Sequence, residues 1–319
     1  MKLLKLVPEN TNIDFMRWRN LAMVVSILLT IAAIGVTVTR GLNLGIDFVG
    51  GQQVRVTFAE PVPIDKLRGE VAAMQVGEAS IQQFDDNRVY EIRLPVPAGE
   101  ESDSNAVVSK MRGELSTLYP DADIGSGQSV SGKVSKELGR DGSLAILFAM
   151  IGIAIYIWFR FEWQFGIGAL VTLAHDMAVT LGFFALTQMT VDLNVVAAIL
   201  TIVGYSINDT VIVYDRIREN LRKYRKMAIE PLLNLSLNET LARTVVTSFT
   251  MLLALGVLML IGPDVIFGLA IAIFLGVVIG TYSSLFISTP ILMWLKVDSD
   301  SFVREEVKDK EGQWTEGRP

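Results

Sequence analysis

Val203-Gly-Tyr-Ser-Ile-Asn-Asp-Thr-Val-Ile-Val-Tyr-Asp-Arg-Ile-Arg-Glu-Asn220 sets Asn208 and Asp209 inside a run otherwise apolar enough to lie in a membrane. A carboxylate within a spanning helix costs roughly 2.5 to 3.5 kcal/mol on insertion scales, so it faces a partner or a wet cavity rather than lipid. Asp209 therefore calls for a partner. Arg243, which opens the next apolar run in Thr240-Leu-Ala-Arg-Thr-Val-Val-Thr-Ser248, is the best candidate. Two helices joined by a cytoplasmic loop would bring both residues to similar depth. A structural ion pair and an ion relay both account for such a pairing at this point.

The rest of the chain fits a membrane setting. Its 319 residues are 51% hydrophobic with a mean hydropathy of +0.43, and the apolar residues fall in blocks, which excludes an ordinary soluble protein. Runs nearly free of charge predict spans at 20–39, 142–159, 164–187, 191–214, 243–263 and 265–295, with His175 and Asp176 interrupting the third, Asp192 and Asp209 in the fourth, and Arg243 opening the fifth. The last is longer than a span needs and must tilt, bend or end before Pro290. Lys2, Lys5, Arg17 and Arg19 in segment 1–19, and Arg216 to Lys226 in the basic loop 215–242, predict that both flank the cytoplasm. An even span count returns the tail 296–319 to the same side, and its dense charge predicts partial disorder. The first span reads as an uncleaved anchor. With no cysteine, disulfides and thiolate metal sites are excluded.

Between the first two spans, segment 40–141 predicts a small α+β domain on the far side of the membrane. It opens on Gly41-Leu-Asn-Leu-Gly-Ile-Asp-Phe-Val-Gly-Gly51, whose glycines allow an unusual backbone path and whose Asp47 can hydrogen-bond within the turn. Strands at 52–58, 79–84 and 88–94 and helices at 63–74 and 104–118 give the order βαββα, with a last strand near Ala122, suiting a ferredoxin-like domain. Segment 95–103 reads as a loop, and Gly125 to Gly132 as either a connector or a bulged strand. The domain shows no metal cluster and no nucleophile with an evident base, so its expected ligand is polypeptide or a partner subunit.

Other polar positions stay open between roles. Thr172, Asp176 and Thr180 share one helix stripe, as packing polars or as members of a proton relay. Arg160 and Glu162 read as an interface anchor, and Asp192 as an interfacial or cap residue. The segment Glu230 to Thr240 reads as an amphipathic surface helix, and its two glycosylation sequons, at Asn234 and Asn238, as chance matches on that side. Ala272, Gly276, Gly280, Ser284 and Ser288 make a small-residue stripe for close helix packing. A hydrolase using Ser206 with His175 is disfavoured: no nucleophile motif surrounds Ser206, and the adjacent His175 and Asp176 should point to different helix faces.

Several motifs together carry a family resemblance: Leu44-Gly-Ile-Asp-Phe-Val-Gly-Gly51, Arg160-Phe-Glu-Trp163, Ala174-His-Asp176, Ser206-Ile-Asn-Asp-Thr210, Asp215-Arg-Ile-Arg-Glu-Asn220 and Arg243-Thr-Val-Val-Thr-Ser248. Over nearly its whole length the chain resembles the SecF members of the SecD/SecF family, bacterial protein-translocase subunits related to the RND exporters. The resemblance implies a membrane all-α six-helix bundle, half of an RND-type unit, with an inserted ferredoxin-like periplasmic domain. It implies SecD as partner, the SecYEG channel with YajC and YidC nearby, an unfolded preprotein as substrate, membrane lipid as surroundings and no nucleic acid. It implies no enzyme activity and no cofactor beyond a proton gradient, or a sodium gradient in some relatives.

On that resemblance Asp209 and Arg243 fall on the ion-coupling positions, with Asn208 and Asp176 as further candidates. Gly45, Asp47, Gly50, Gly51, Asp215 and Arg216 are motif residues with structural roles, and Gly276 and Gly280 are packing residues. No catalytic residue and no metal ligand is assigned. One charge crossing 100 mV yields about 2.3 kcal/mol, comparable with rearranging one buried ionic contact. A scaffold that only supports SecD, and a homodimeric small-molecule exporter, are the competing readings.

Overall fold

The computed structural model describes residues 8, 11–77, 79–85, 87–94 and 101–297. Lys2, Lys5, most of the predicted 95–103 loop and the tail beyond 297 lie outside the described residues. In chain order the helices are α1 Arg19–Arg40, α2 Ile46–Val49, α3 Ile64–Ala73, α4 Glu101–Leu118, α5 Gly132–Arg160, α6 Trp163–Thr187, α7 Leu193–Lys223, α8 Ile229–Ile261, α9 Phe267–Phe286 and α10 Ser288–Trp294. The strands are β1 Gly51–Thr57, β2 Ser80–Asp85, β3 Val89–Leu94, β4 Asp123–Ile124 and β5 Gln128–Val130. Two compact units result: Asn43–Leu147 with Thr190–Val196, and the remaining described segments.

In the smaller unit, alternation along β1 turns Val54 and Val56 inward, where they meet Leu67 and Val71 of α3 and Met111 and Leu115 of α4. The antiparallel sheet has the order β2-β3-β1-β4, as a ferredoxin-like domain requires, with Val54 opposite Ile92 and Val56 opposite both Tyr90 and Ile124. The glycine-rich segment 125–132 contains a strand: β5 pairs Gln128, Ser129 and Val130 with Gln53, Gln52 and Gly51. Phe58 stacks edge-on against Tyr90 and Tyr119. Burial, and a 2.7 Å hydrogen bond to the Glu70 carboxylate, push the Tyr119 hydroxyl up to about 12.

Among the described residues six helices are long and apolar enough to cross a membrane, and most of their length lies in the larger unit. Two sequence boundaries are corrected. The basic segment expected to be a loop continues α7 to Lys223, and the amphipathic segment is the opening of α8, a single 33-residue helix rather than a separate surface helix. Pro231 sits in the first turn of α8, where a missing N–H costs no helix hydrogen bond. Leu232, Leu233, Leu237 and Leu241 then enter the same core as Val213, Ile217 and Leu221 of α7. The sixth crossing breaks at Ile287, between α9 and α10, three residues before Pro290.

The small-residue stripe finds its partner in α7. A side chain on Gly276 would collide with Ile202, and a Cβ on Gly280 would lie 3.2 Å from the Cβ of Ser206. Gly182 gives Ala33 of α1 the same access to α6. Gly276→Ala should therefore destabilise the folded chain by about 1–3 kcal/mol through overpacking, and Ile202→Ala in the same chain should restore part of the loss. Denaturation in detergent, followed by tryptophan fluorescence, reads both; a double variant no more stable than Gly276→Ala would contradict the contact.

Candidate functional site

Three helices converge on one carboxylate. Asp176 of α6 is fully buried, and its Oδ2 accepts hydrogen bonds from Ser206 Oγ of α7 at 2.6 Å and Ser283 Oγ of α9 at 2.9 Å. Its Oδ1 lies 3.0 Å from Nδ1 of His175. Successive residues sit only about 100° apart around a helix, so the expected divergence of His175 and Asp176 is overcome by side-chain rotation. Thr172 and Thr180 share the buried stripe but give their hydroxyls to carbonyls of their own helix, those of Gly168 and Asp176. Ser206 donates to a carboxylate and not to the imidazole, which removes the geometry a serine nucleophile needs.

Asp209, one turn along α7 from Ser206, is 1% exposed, and its Oδ2 has no hydrogen-bond partner in the protein. Asp209 and Arg243 form no ion pair among the described residues, which corrects the expected pairing. The reason is helix phase: Leu237, Leu241, Thr244 and Ser248 define the buried face of α8, and Arg243 lies beside it on the exposed face. The hydroxyl of Thr244, on the buried face, also lacks a partner. Asn208 is exposed.

The glycine segment binds the head of α7. Asp47 does not close its own turn; its Oδ2 accepts from the Leu193 N–H at 2.9 Å, while Asp192 caps the same helix through the Val195 N–H at 3.0 Å. Gly45 N–H donates to Val191, and Val191 N–H to Asn43. Gly50 and Gly51 have φ of +76° and +129°, and a side chain on Gly51 would strike the Leu94 carbonyl. Arg93 of β3 joins this arrangement: it pairs with Glu91 at 2.8 Å and hydrogen-bonds Gln82, Asn43 and Thr190. The sequence motif points to Asp47, but nothing in it singles out Arg93.

Residues 110–298 match the family described as protein export membrane protein SecD/SecF, C-terminal, and residues 35–62 match the SecD/SecF GG motif. A protein translocase subunit SecF from Cereibacter sphaeroides is 44% identical, covering 92% of this chain and 93% of its own. The SecF of Pseudomonas aeruginosa is 38% identical, covering 93% and 96%. The chain belongs to the SecD/SecF family. A crystal structure of SecDF from Thermus thermophilus, titled a translocon-associated membrane protein, superposes with a TM-score of 0.83 at 32% identity. The match covers 91% of this chain and 40% of that one, so the chain spans less than half of the SecDF polypeptide.

Within this SecD/SecF framework the GG match covers Gly45, Asp47, Gly50 and Gly51; Gly45 and Asp47 hold Val191 and Leu193 at the head of α7, and Gly50 and Gly51 carry the chain into β1. Asp215 and Arg216 belong to a charged network: Arg160 pairs with Asp215 at 2.9 Å, Arg218 with Glu162 at 3.4 Å, and Arg216 with Glu219 and Glu239 at 2.6 and 2.7 Å. Exposed pairs are worth little singly, about 0–1 kcal/mol; here they join the α5–α6 turn, α7 and α8. Asn234 and Asn238, read in the sequence only as chance sequons, have a structural role that the sequence did not reveal. Their side chains hold residues 11–16 against α8, accepting from Met16 N–H at 3.0 Å and Ile13 N–H at 2.8 Å. Paired backbone-like hydrogen bonding of this kind leaves no trace in hydropathy.

Proposed function

We propose that this chain is the SecF-like subunit of the Sec protein translocase accessory complex, which works with SecD and draws on the proton motive force to complete preprotein export across the bacterial cytoplasmic membrane. The observation that carries the reading is similarity to SecF subunits over 92% of the chain joined to two buried carboxylates, Asp176 and Asp209, inside spanning helices. On this reading both chain ends face the cytoplasm and the small unit faces the periplasm, where it contacts the emerging polypeptide. SecYEG is the channel served, with YajC and YidC as further partners. The coupling ion is a proton, or sodium by the same carboxylates.

Asp209 is the group that exchanges its proton on this reading, with Arg243, Asn208 and Asp176 in the coupling path. Arg243 acts in a second packing, since the structure here leaves it on the outer face of α8. Inverted vesicles carrying this chain with SecD and the channel test the proposal: an imposed gradient should speed late-stage translocation several-fold, and vesicles lacking the chain should lose that increment. A gradient response independent of the chain would leave it the scaffold role, in which Asp176 with its serine partners simply ties three helices together.

A further inference from the structure

Another group in the membrane unit, besides Asp209 and Thr244, has no partner in the protein, and its residue lines a cavity. A groove of about 330 Å³ runs between α1 and α6, lined by Met23, Ile27, Ile31, Val171, Ala174 and His175 among others. His175, the only histidine in the chain, is 5% exposed, and its Nε2 has no hydrogen-bond partner in the protein. The polar neighbours on α1 are already engaged: Ser26 with the Tyr282 hydroxyl at 2.9 Å, and Thr30 with the Ser26 carbonyl. On α9, Tyr282 lies with its ring 6.5 Å from the imidazole and gives its hydroxyl to the Ala22 carbonyl, and Ser283 gives its own to Asp176. Among the described residues, the titratable groups the structure sets against His175 are thus Asp176 and Tyr282.

The tautomer follows from the partner. A carboxylate oxygen only accepts, so Nδ1 carries the hydrogen toward Asp176, and Nε2 of the neutral ring presents a bare lone pair. That lone pair is an acceptor in want of a donor. Buried acceptors are almost always satisfied, so one at a cavity wall with no protein partner takes its donor from the cavity.

We infer that His175 is a second protonation site, loaded through the groove between α1 and α6, whose charge state sets how firmly Asp176 holds α7 and α9. Loading forms one N–H bond at Nε2 from a hydronium ion and leaves water; unloading reverses it. The imidazolium draws the Asp176 charge toward the ring, and the hydroxyls of Ser206 and Ser283 then compete less well for it. Ser206 stands one turn from Asp209 on the same helix, so loosening that contact changes the setting of the residue assigned to ion exchange. This inference rests on the coupling function proposed above.

The single histidine makes the test direct. In the full chain, assembled with SecD in lipid nanodiscs and labelled with ¹⁵N-histidine, Nε2 should pass from unprotonated to protonated as the pH is lowered, with Nδ1 protonated throughout. His175→Asn keeps an N–H donor for Asp176 and removes the titrating nitrogen. It should cut the gradient-stimulated translocation rate at least about fivefold and flatten its pH profile, with assembly unchanged. An Nε2 that does not titrate, or a His175→Asn chain with the rate and pH profile of the unsubstituted protein, overturns the inference. If the unsubstituted chain itself gives no gradient response, the coupling function falls first, whatever the variant does.

Discussion

Asp209→Asn should abolish the gradient-dependent part of late-stage translocation while leaving assembly with SecD and gradient-independent transport intact. The substitution keeps the size and most of the polarity of the side chain and removes only the exchangeable proton. Because Asp209 has no ion pair here and one oxygen without a partner, the amide breaks no salt bridge and strands no cation. A loss of function would therefore report the chemistry of the carboxyl group and not a collapse of packing. Comparing initial rates in inverted vesicles with and without an imposed gradient, after quantifying assembled complex, reads the effect. An unchanged gradient response would remove Asp209 from the coupling path. Arg243→Lys separates two roles for the guanidinium: full activity would mean that only its charge matters, and reduced activity that its planar, two-pronged donor geometry is used in the second packing.

Arg93→Ala should cost about 3–5 kcal/mol, because removing one partner of a buried ion pair leaves the other as an uncompensated charge. Glu91 is the residue stranded; both side chains are 9% exposed and 2.8 Å apart. The same change deletes the hydrogen bonds to Gln82, Asn43 and Thr190, so the damage reaches the loop that leads into α7. Hydrogen exchange on the full chain should show faster exchange in β2, β3 and residues 190–196. Adding Glu91→Gln should recover part of the loss, since a neutral amide is easier to bury than a carboxylate. Unaltered protection in Arg93→Ala would mean that this pair contributes little to holding the small unit together.

The spans and the order of the small domain were legible because each rests on a local signal. An uncharged run of about 20 residues needs no knowledge of its neighbours to be read as a crossing, and the alternation in Gln52 to Phe58 reports a strand by itself. What failed depended on phase or on distant partners. Arg243 stands one residue from Thr244, and that step decides whether a side chain joins the buried face of α8 or leaves it. The charged stretch 215–223 looked like a loop because hydropathy cannot distinguish a helix leaving the membrane from a coil. The partners of Asp176 come from positions 206 and 283; hydroxyls at matching depth on other spans were the only clue, and several serines and threonines shared it. The GG segment was recognised by its glycines, yet the use of Asp47 on Leu193 could be seen only once both ends of that contact were in place.

The clasp at Asn238 bears on biosynthesis as well as on the finished fold. Ile13 and Asn238 are separated by 225 positions. At about 5–20 residues per second of synthesis, the leading segment waits roughly 11 to 45 s before its acceptor leaves the ribosome. By then α1, α5, α6 and α7 have been made and α8 has begun. The hydrogen bonds of residues 11–16 thus form late, and they register that the early helices have been inserted in an arrangement that lets the first-made residues meet the start of α8. A chain with one helix misinserted would be left with that segment open.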